Sequence, residues 1–262
     1  MESGFAAWVA ASWAALPGTM LVLAPLICLL AYVIYGLTGF GSTLLSGPSY
    51  VHMLPLRMIL PLQVSLDLAA TVLLGTRVWR KVRWREVLLI GPFMLIGVMI
   101  GVKVLVDVPE RWLILAFGLF VLYNGVYGLR PGKMPRRFAG AWVAPLGIAT
   151  GAAGAMFGAG GPIIVVYLAS RIHDKEEMRA TIMATIFFNG GGRVIAFWIA
   201  GLFAQPGLLF LALWLMPSLL SGLWLGNRLH RHLPTAQIRR ATYVILILAG
   251  ISLVVRSFGS FA

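Results

Sequence analysis

Apolar residues in this chain run together in long blocks instead of alternating or forming stripes, and the blocks have lengths that suit a bilayer. Eight segments are read, at about 19–50, 58–76, 87–105, 112–129, 139–170, 180–200, 207–226 and 241–255. Segments one and five stand apart. Each is about 30 residues, enough for one strongly tilted helix or for two half-helices broken at a glycine cluster. The stretch 5–16, before Pro17-Gly18, is too brief to span alone and is expected to lie in the interface or to extend the first segment. The pattern predicts an all-α integral membrane protein.

The second half of the pattern repeats the first at a period of about 120 residues. Ala24-Pro25-Leu26 recurs as Ala144-Pro145-Leu146, and each copy is followed 16 positions later by a Gly within a glycine cluster, Gly39-Phe40-Gly41 or Gly158-Ala159-Gly160-Gly161-Pro162. Further on, Gly97-x3-Gly101-x-Lys103 before Pro109 is mirrored by Gly222-x3-Gly226-x-Arg228 before Pro234. The chain divides into an N-terminal interfacial segment, 1–18, and two repeats, 19–137 and 138–262, that form one membrane domain. Duplication of this kind in a membrane chain points to a transporter.

Composition supports the membrane assignment. At 60% hydrophobic and 11% charged residues, with a mean hydropathy of +0.92, the chain has too little polar surface to cover a soluble globule. The net charge of +13 sits in short clusters between apolar runs, as bilayer topology requires, so no nucleic-acid partner is inferred. Cys28 is the single cysteine and has no intramolecular partner for a disulfide. Met1-Glu2-Ser3-Gly4 lacks a basic region, which argues against a cleaved signal peptide.

Charge placement separates two topologies. Eight single crossings put ten Lys/Arg on each side, with no bias in either orientation. If segments one and five are re-entrant and the N-terminus is outside, sixteen fall inside and four outside, leaving Arg193 within a span. The second arrangement makes the halves inverted repeats of four segments, the first of each broken or re-entrant. Eight full crossings remain the alternative.

The glycine clusters suit a break at membrane depth. Non-helical backbone is tolerated there only when buried in protein or lining a cavity, and Gly permits the conformations and close approach it needs. Pro162 favours the first turn of a new helix, and Ser42-Thr43 are residues that cap one. Each break therefore starts a half-helix whose free N–H groups attract an anion. The Gly97/Gly101 and Gly222/Gly226 pairs read instead as helix-packing contacts.

Polar residues recur on the helices that follow. Gln63, Ser65, Asp67 and Thr71 occupy segment two, and Thr181, Thr185, Asn189 and Arg193 occupy segment six; an offset of 122 pairs Gln63 with Thr185, Asp67 with Asn189, and Thr71 with Arg193. An intramembrane charge costs about 3 kcal/mol on insertion scales, so Asp67 and Arg193 need partners, water or a function. Arg193 could also snorkel from its place near the segment end.

Other chemistries find little support. His52, His173, His230 and His232 fall in loops or at segment ends, no Walker-type phosphate loop is present, and no cofactor is expected.

The Gly39-Phe40-Gly41-Ser42 and Phe157-Gly158-Ala159-Gly160-Gly161-Pro162 clusters, with the polar second helices and the G-x-x-x-G segments, resemble the paired signatures of the TauE/SafE sulfite exporter family over roughly 20–256. The resemblance implies a bacterial inner-membrane permease, not an enzyme, for sulfite, sulfoacetate or related organosulfonates. Asp67, where a neutral polar residue is expected, and Arg193 depart from the common pattern. The anion is expected between Gly39, Phe40, Gly41, Ser42, Thr43 and Gly158, Ala159, Gly160, Gly161, Pro162, with Arg193, Asn189 and Gln63 adding contacts. Asp67 would balance Arg193 or carry a coupling proton; sodium coupling and a homo-oligomer in lipid are also compatible. A cation or metal-ion permease using Asp67 and Asn189 as ligands is the rival.

Overall fold

In the computed structural model the described residues are 18–75, 79–129, 142–229 and 235–259. The expected interfacial stretch 5–16 and several loop cations, including Arg77 and Lys133, lie outside them. The first half holds α1 (Gly18–Thr38), α2 (Ser42–Val51), α3 (Leu56–Gly75), α4 (Trp84–Asp107) and α5 (Glu110–Leu129). The second holds α6 (Val143–Phe157), α7 (Gly161–Ala169), α8 (Lys175–Ile199), α9 (Leu208–Leu229) and α10 (Thr235–Gly259). Six of these, α1, α3, α4, α5, α8 and α9, are long and apolar enough to cross a membrane; α6 and the apolar part of α10 are shorter.

Both long segments are broken at their glycines. Gly39 and Gly41 adopt left-handed φ values of 83° and 94°, and Gly158 one of 65°. At Gly158 the N–H bonds to Gly154 O at 2.9 Å, the left-handed αL stop, and the next N–H, of Ala159, reaches back to Ala153 O at 3.3 Å. The pieces are unequal: α1 has 21 residues against 15 in α6, so α1 is a full-length helix and not a half. After each break the chain doubles back. Tyr50, near the end of α2, donates to Ala24 O near the start of α1 at 3.1 Å. Likewise Val143 at the start of α6 shares a hydrophobic cluster with Tyr167, Leu168 and Ile172 at and beyond the end of α7.

The small-residue pairs lock the two halves together. A Cβ on Gly101 would meet Ala152 O at 2.7 Å and the Ala155 methyl at 2.8 Å, so α4 lies directly on α6. Gly222 stands in the same way 2.6 Å from Leu29 O, placing α9 on α1. In both pairs residue numbers rise together, so the helices run parallel; each half thus grips the first helix of the other. Hydrocarbon offers no hydrophobic gain between helices, so such backbone contact supplies dispersion that larger residues would prevent. The last helices of the two halves, α5 and α10, run antiparallel, with Gly118 against Leu253 and Gly125 against Ile247.

Ion pairs join the halves at one end. Lys81 pairs with Glu176, Arg83 Nη2 lies 2.7 Å from Glu177, and Arg171 Nη1 lies 3.4 Å from Glu86. Glu176 holds the Lys81 ammonium above its ordinary pKa, but the pair is exposed and contributes little stability. The helices extend beyond their apolar cores where polar residues allow it; α8 begins early because Asp174 caps it, accepting from the N–H groups of Glu176 and Glu177 at 3.0 and 2.8 Å.

Candidate functional site

The two breaks meet. A Cβ on Gly158 would lie 2.8 Å from Thr43 Oγ1, and one on Gly161 would lie 2.8 Å from the Phe40 ring, so each cluster closes on the other with no room for a side chain. The N-termini of α2 and α7 open beside this contact, and their first N–H groups have no intrahelical acceptors. Pro162 lies in the first turn of α7 as its sequence position suggests. Ser42 and Thr43 do not cap α2: Gly41 holds the cap position without a side-chain bond, and the Ser42 hydroxyl is committed elsewhere.

Every predicted site residue except Gly39, Thr43 and Gln63 lines one pocket between the breaks. Gly39 is set against Met183 and Arg179 of α8, with Arg179 donating to Gly36 O at 2.7 Å. Thr43 forms the contact with Gly158. Gln63 donates to Ser46, which in turn donates to Ser42 O at 2.9 Å, so it supports α2 from behind the pocket.

Asp67 is buried at 6% exposure, and its Oδ1 accepts from Ser42 Oγ at 2.6 Å and Tyr32 OH at 2.8 Å. Thr71 gives its proton to the Asp67 main-chain carbonyl at 2.7 Å, so Tyr35 OH is the donor in the 2.7 Å contact with Thr71. Opposite stands Arg193, 4% exposed and with its guanidinium 5.6 Å from the Phe197 ring; it does not snorkel. No ion pair within 4 Å joins it to Asp67 among the described residues. Arg193 Nε and Nη2 and Asn189 Nδ2 are buried donors with no hydrogen-bond partner. The other side of the Asn189 amide is packed on Gly154, where a Cβ would come within 2.8 Å of Oδ1.

Unpaired buried donors are expensive, roughly 1–3 kcal/mol each and more for a charged group. Three of them line one pocket beside two helix N-termini, an arrangement able to receive acceptor atoms. The sequence pattern identified Asp67, Asn189 and Arg193 but not Tyr32, Tyr35, Thr150 or Gly154. Tyr32 and Tyr35 carried a faint signal, two hydroxyls at i, i+3 spacing inside an otherwise apolar helix. Among the described residues no group of three or more His, Cys, Asp or Glu gathers as a metal site.

The family model for sulfite exporter TauE/SafE matches residues 24–253. A relative, the probable inner membrane transporter protein TsaS of Comamonas testosteroni, is 32% identical over 193 residues, covering 73% of this chain and 81% of the relative. No solved structure matches. With the family match spanning nearly the whole chain and six helices able to cross a bilayer, this multi-pass inner-membrane protein belongs to the sulfite exporter TauE/SafE family of transporters.

Proposed function

We propose that the chain is a secondary permease that moves small sulfur-containing anions, such as sulfite, sulfoacetate or related organosulfonates, by alternating access through the pocket between the breaks. The observation that carries this reading is the set of unpartnered donors, Arg193 Nε and Nη2 and Asn189 Nδ2, beside the N-termini of α2 and α7. A sulfonate or sulfite headgroup presents three acceptor oxygens, enough to engage the guanidinium, the amide and main-chain N–H groups together. Asp67 is the coupling residue: a carboxylate moves through a low-dielectric site more cheaply once protonated.

The antiparallel α5 and α10, and the reciprocal grip of α4 on α6 and α9 on α1, support a pseudo-two-fold relation with its axis in the membrane plane. Alternating access then needs no new contact set. Rocking the pocket walls would open the site to one face and then the other, since the two halves approach it from opposite faces.

The cation-permease reading, with Asp67 and Asn189 as ligands, is less favoured because Ser42 and Tyr32 already occupy Asp67 Oδ1 and the unsatisfied groups that line the pocket are donors. Flux assays in proteoliposomes decide between them. Labelled sulfite should accumulate in vesicles containing the wild-type protein, and Arg193→Ala should weaken its apparent affinity about tenfold to a hundredfold, the worth of lost charge-assisted bonds. Cation flux without anion flux, or an Arg193→Ala variant with unchanged affinity, would sink the assignment.

A further inference from the structure

Equivalent positions in the two breaks carry different chemistry. In the first half Ser42, the opening residue of α2, donates to Asp67 at 2.6 Å, and Tyr32 donates to the same oxygen. The second half has Pro162 and Asn189 in those places. Proline offers neither hydroxyl nor N–H, and an amide does not titrate. The backbone differs as well: two glycines of the first break are left-handed, whereas in the second only Gly158 is, and Gly160 lies at φ −69°.

Building on the anion reading above, we propose that Asp67 and the transported anion compete for the N-terminal end of α2. Ser42 is the positioning residue that transmits the protonation of Asp67 to that helix. The second break, fixed by Pro162 and Asn189, is the half of the cradle that does not respond to protons.

The argument is one of charge. Ionised Asp67 lies at the positive end of α2 and across the pocket from Arg193, so the empty site holds one negative and one positive group. A monoanion entering this site would place a second negative charge beside the first, in surroundings where like charges repel far more than in water. A proton taken from water, bonding to a carboxylate oxygen of Asp67, removes the conflict. The Ser42 and Tyr32 hydroxyls then face a neutral acid and hold it less strongly, and the positive end of α2 acts on the anion alone. Groups facing Asp67 from the neighbouring helices are Cys28, Tyr32 and Tyr35 of α1, Ser42 and Thr43 of α2 and Arg193 of α8. Of these Arg193 is the cation. The empty and the loaded pocket are therefore both neutral, and one proton accompanies each monoanion and is released to water on the other face.

The test is binding of ethanesulfonate to the purified protein at about pH 5.5 and about pH 7.5, a range in which this probe stays a monoanion. Wild type should bind about tenfold tighter at the lower pH, the scale of one charge-assisted bond. Ser42→Ala should lose most of that ratio, Ser42→Thr should keep it, and Asp67→Asn should bind tightly at both values. Tyr32→Phe, which removes the second donor, should also reduce the ratio and decides the matter if Ser42→Ala does not fold. A wild-type ratio in Ser42→Ala or Tyr32→Phe, or pH-dependent binding in Asp67→Asn, overturns the proposal. No binding by wild type at either pH removes the anion reading itself, and this proposal with it.

Discussion

Two glycines show how individual residues shape the pocket. Gly154 leaves the space that the Asn189 amide occupies, and Gly158 combines a left-handed φ with contact against Thr43. Gly154→Ala should displace Asn189 at an overpacking cost of about 1–3 kcal/mol, seen as weaker sulfite binding with a smaller loss of thermal stability. Gly158→Ala adds a backbone penalty of about 1–2 kcal/mol and should impair both more severely. Equal effects of the two substitutions on binding and on melting would argue against separate roles. At this scale the sequence was informative where a residue was out of place: a carboxylate and a guanidinium in apolar helices announced themselves. Gly154 and Tyr32 did not, because a glycine or a tyrosine in a membrane helix is ordinary until its neighbour across the fold is known.

Among the elements, the two parallel pairs α4 with α6 and α9 with α1 hold the halves together through glycine contacts against backbone, which cannot yield as a flexible side chain can. Gly101→Leu and Gly222→Leu should each lower the melting temperature of the detergent-solubilised protein, with a destabilisation of about 1–3 kcal/mol or more. Gly191→Ala, where a Cβ meets nothing within 4 Å, is the control and should melt like wild type. If both leucine variants also matched wild type, these helices would not be held by the packing described. The G-x-x-x-G spacing was readable as a packing signal, but not its partner; nothing in segment three of a chain names segment five as its neighbour. The glycine clusters were readable as breaks for the opposite reason, since the constraint is local backbone geometry. The capping role expected of Ser42 failed because the helix already begins at Ser42, with Gly41 at the cap position, and the Ser42 hydroxyl turns to Asp67, 25 residues away.

For the whole molecule, the doubling back at each break predicts which loops share a face. The loop at His173 and the turn at Ala204 are both exposed, and Cys28 is buried, so single introduced cysteines can be read against a silent background. In the re-entrant arrangement His173→Cys should react with an impermeant maleimide only from the cytoplasmic face and Ala204→Cys only from the outer face. Eight full crossings with the N-terminus inside require the reverse.

The sequence by itself determined the membrane environment, the helical class and the places where helices break, because hydropathy, periodicity and glycine geometry act on neighbouring residues. Tertiary structure alone decided that the two breaks touch, that Arg193 and Asn189 keep unpaired donors in one pocket while Ser42 and Tyr32 attend Asp67, and that each half clasps the first helix of the other. Those outcomes depend on which surfaces meet, and distant segments of similar apolar character offer many meetings; only close packing selects among them.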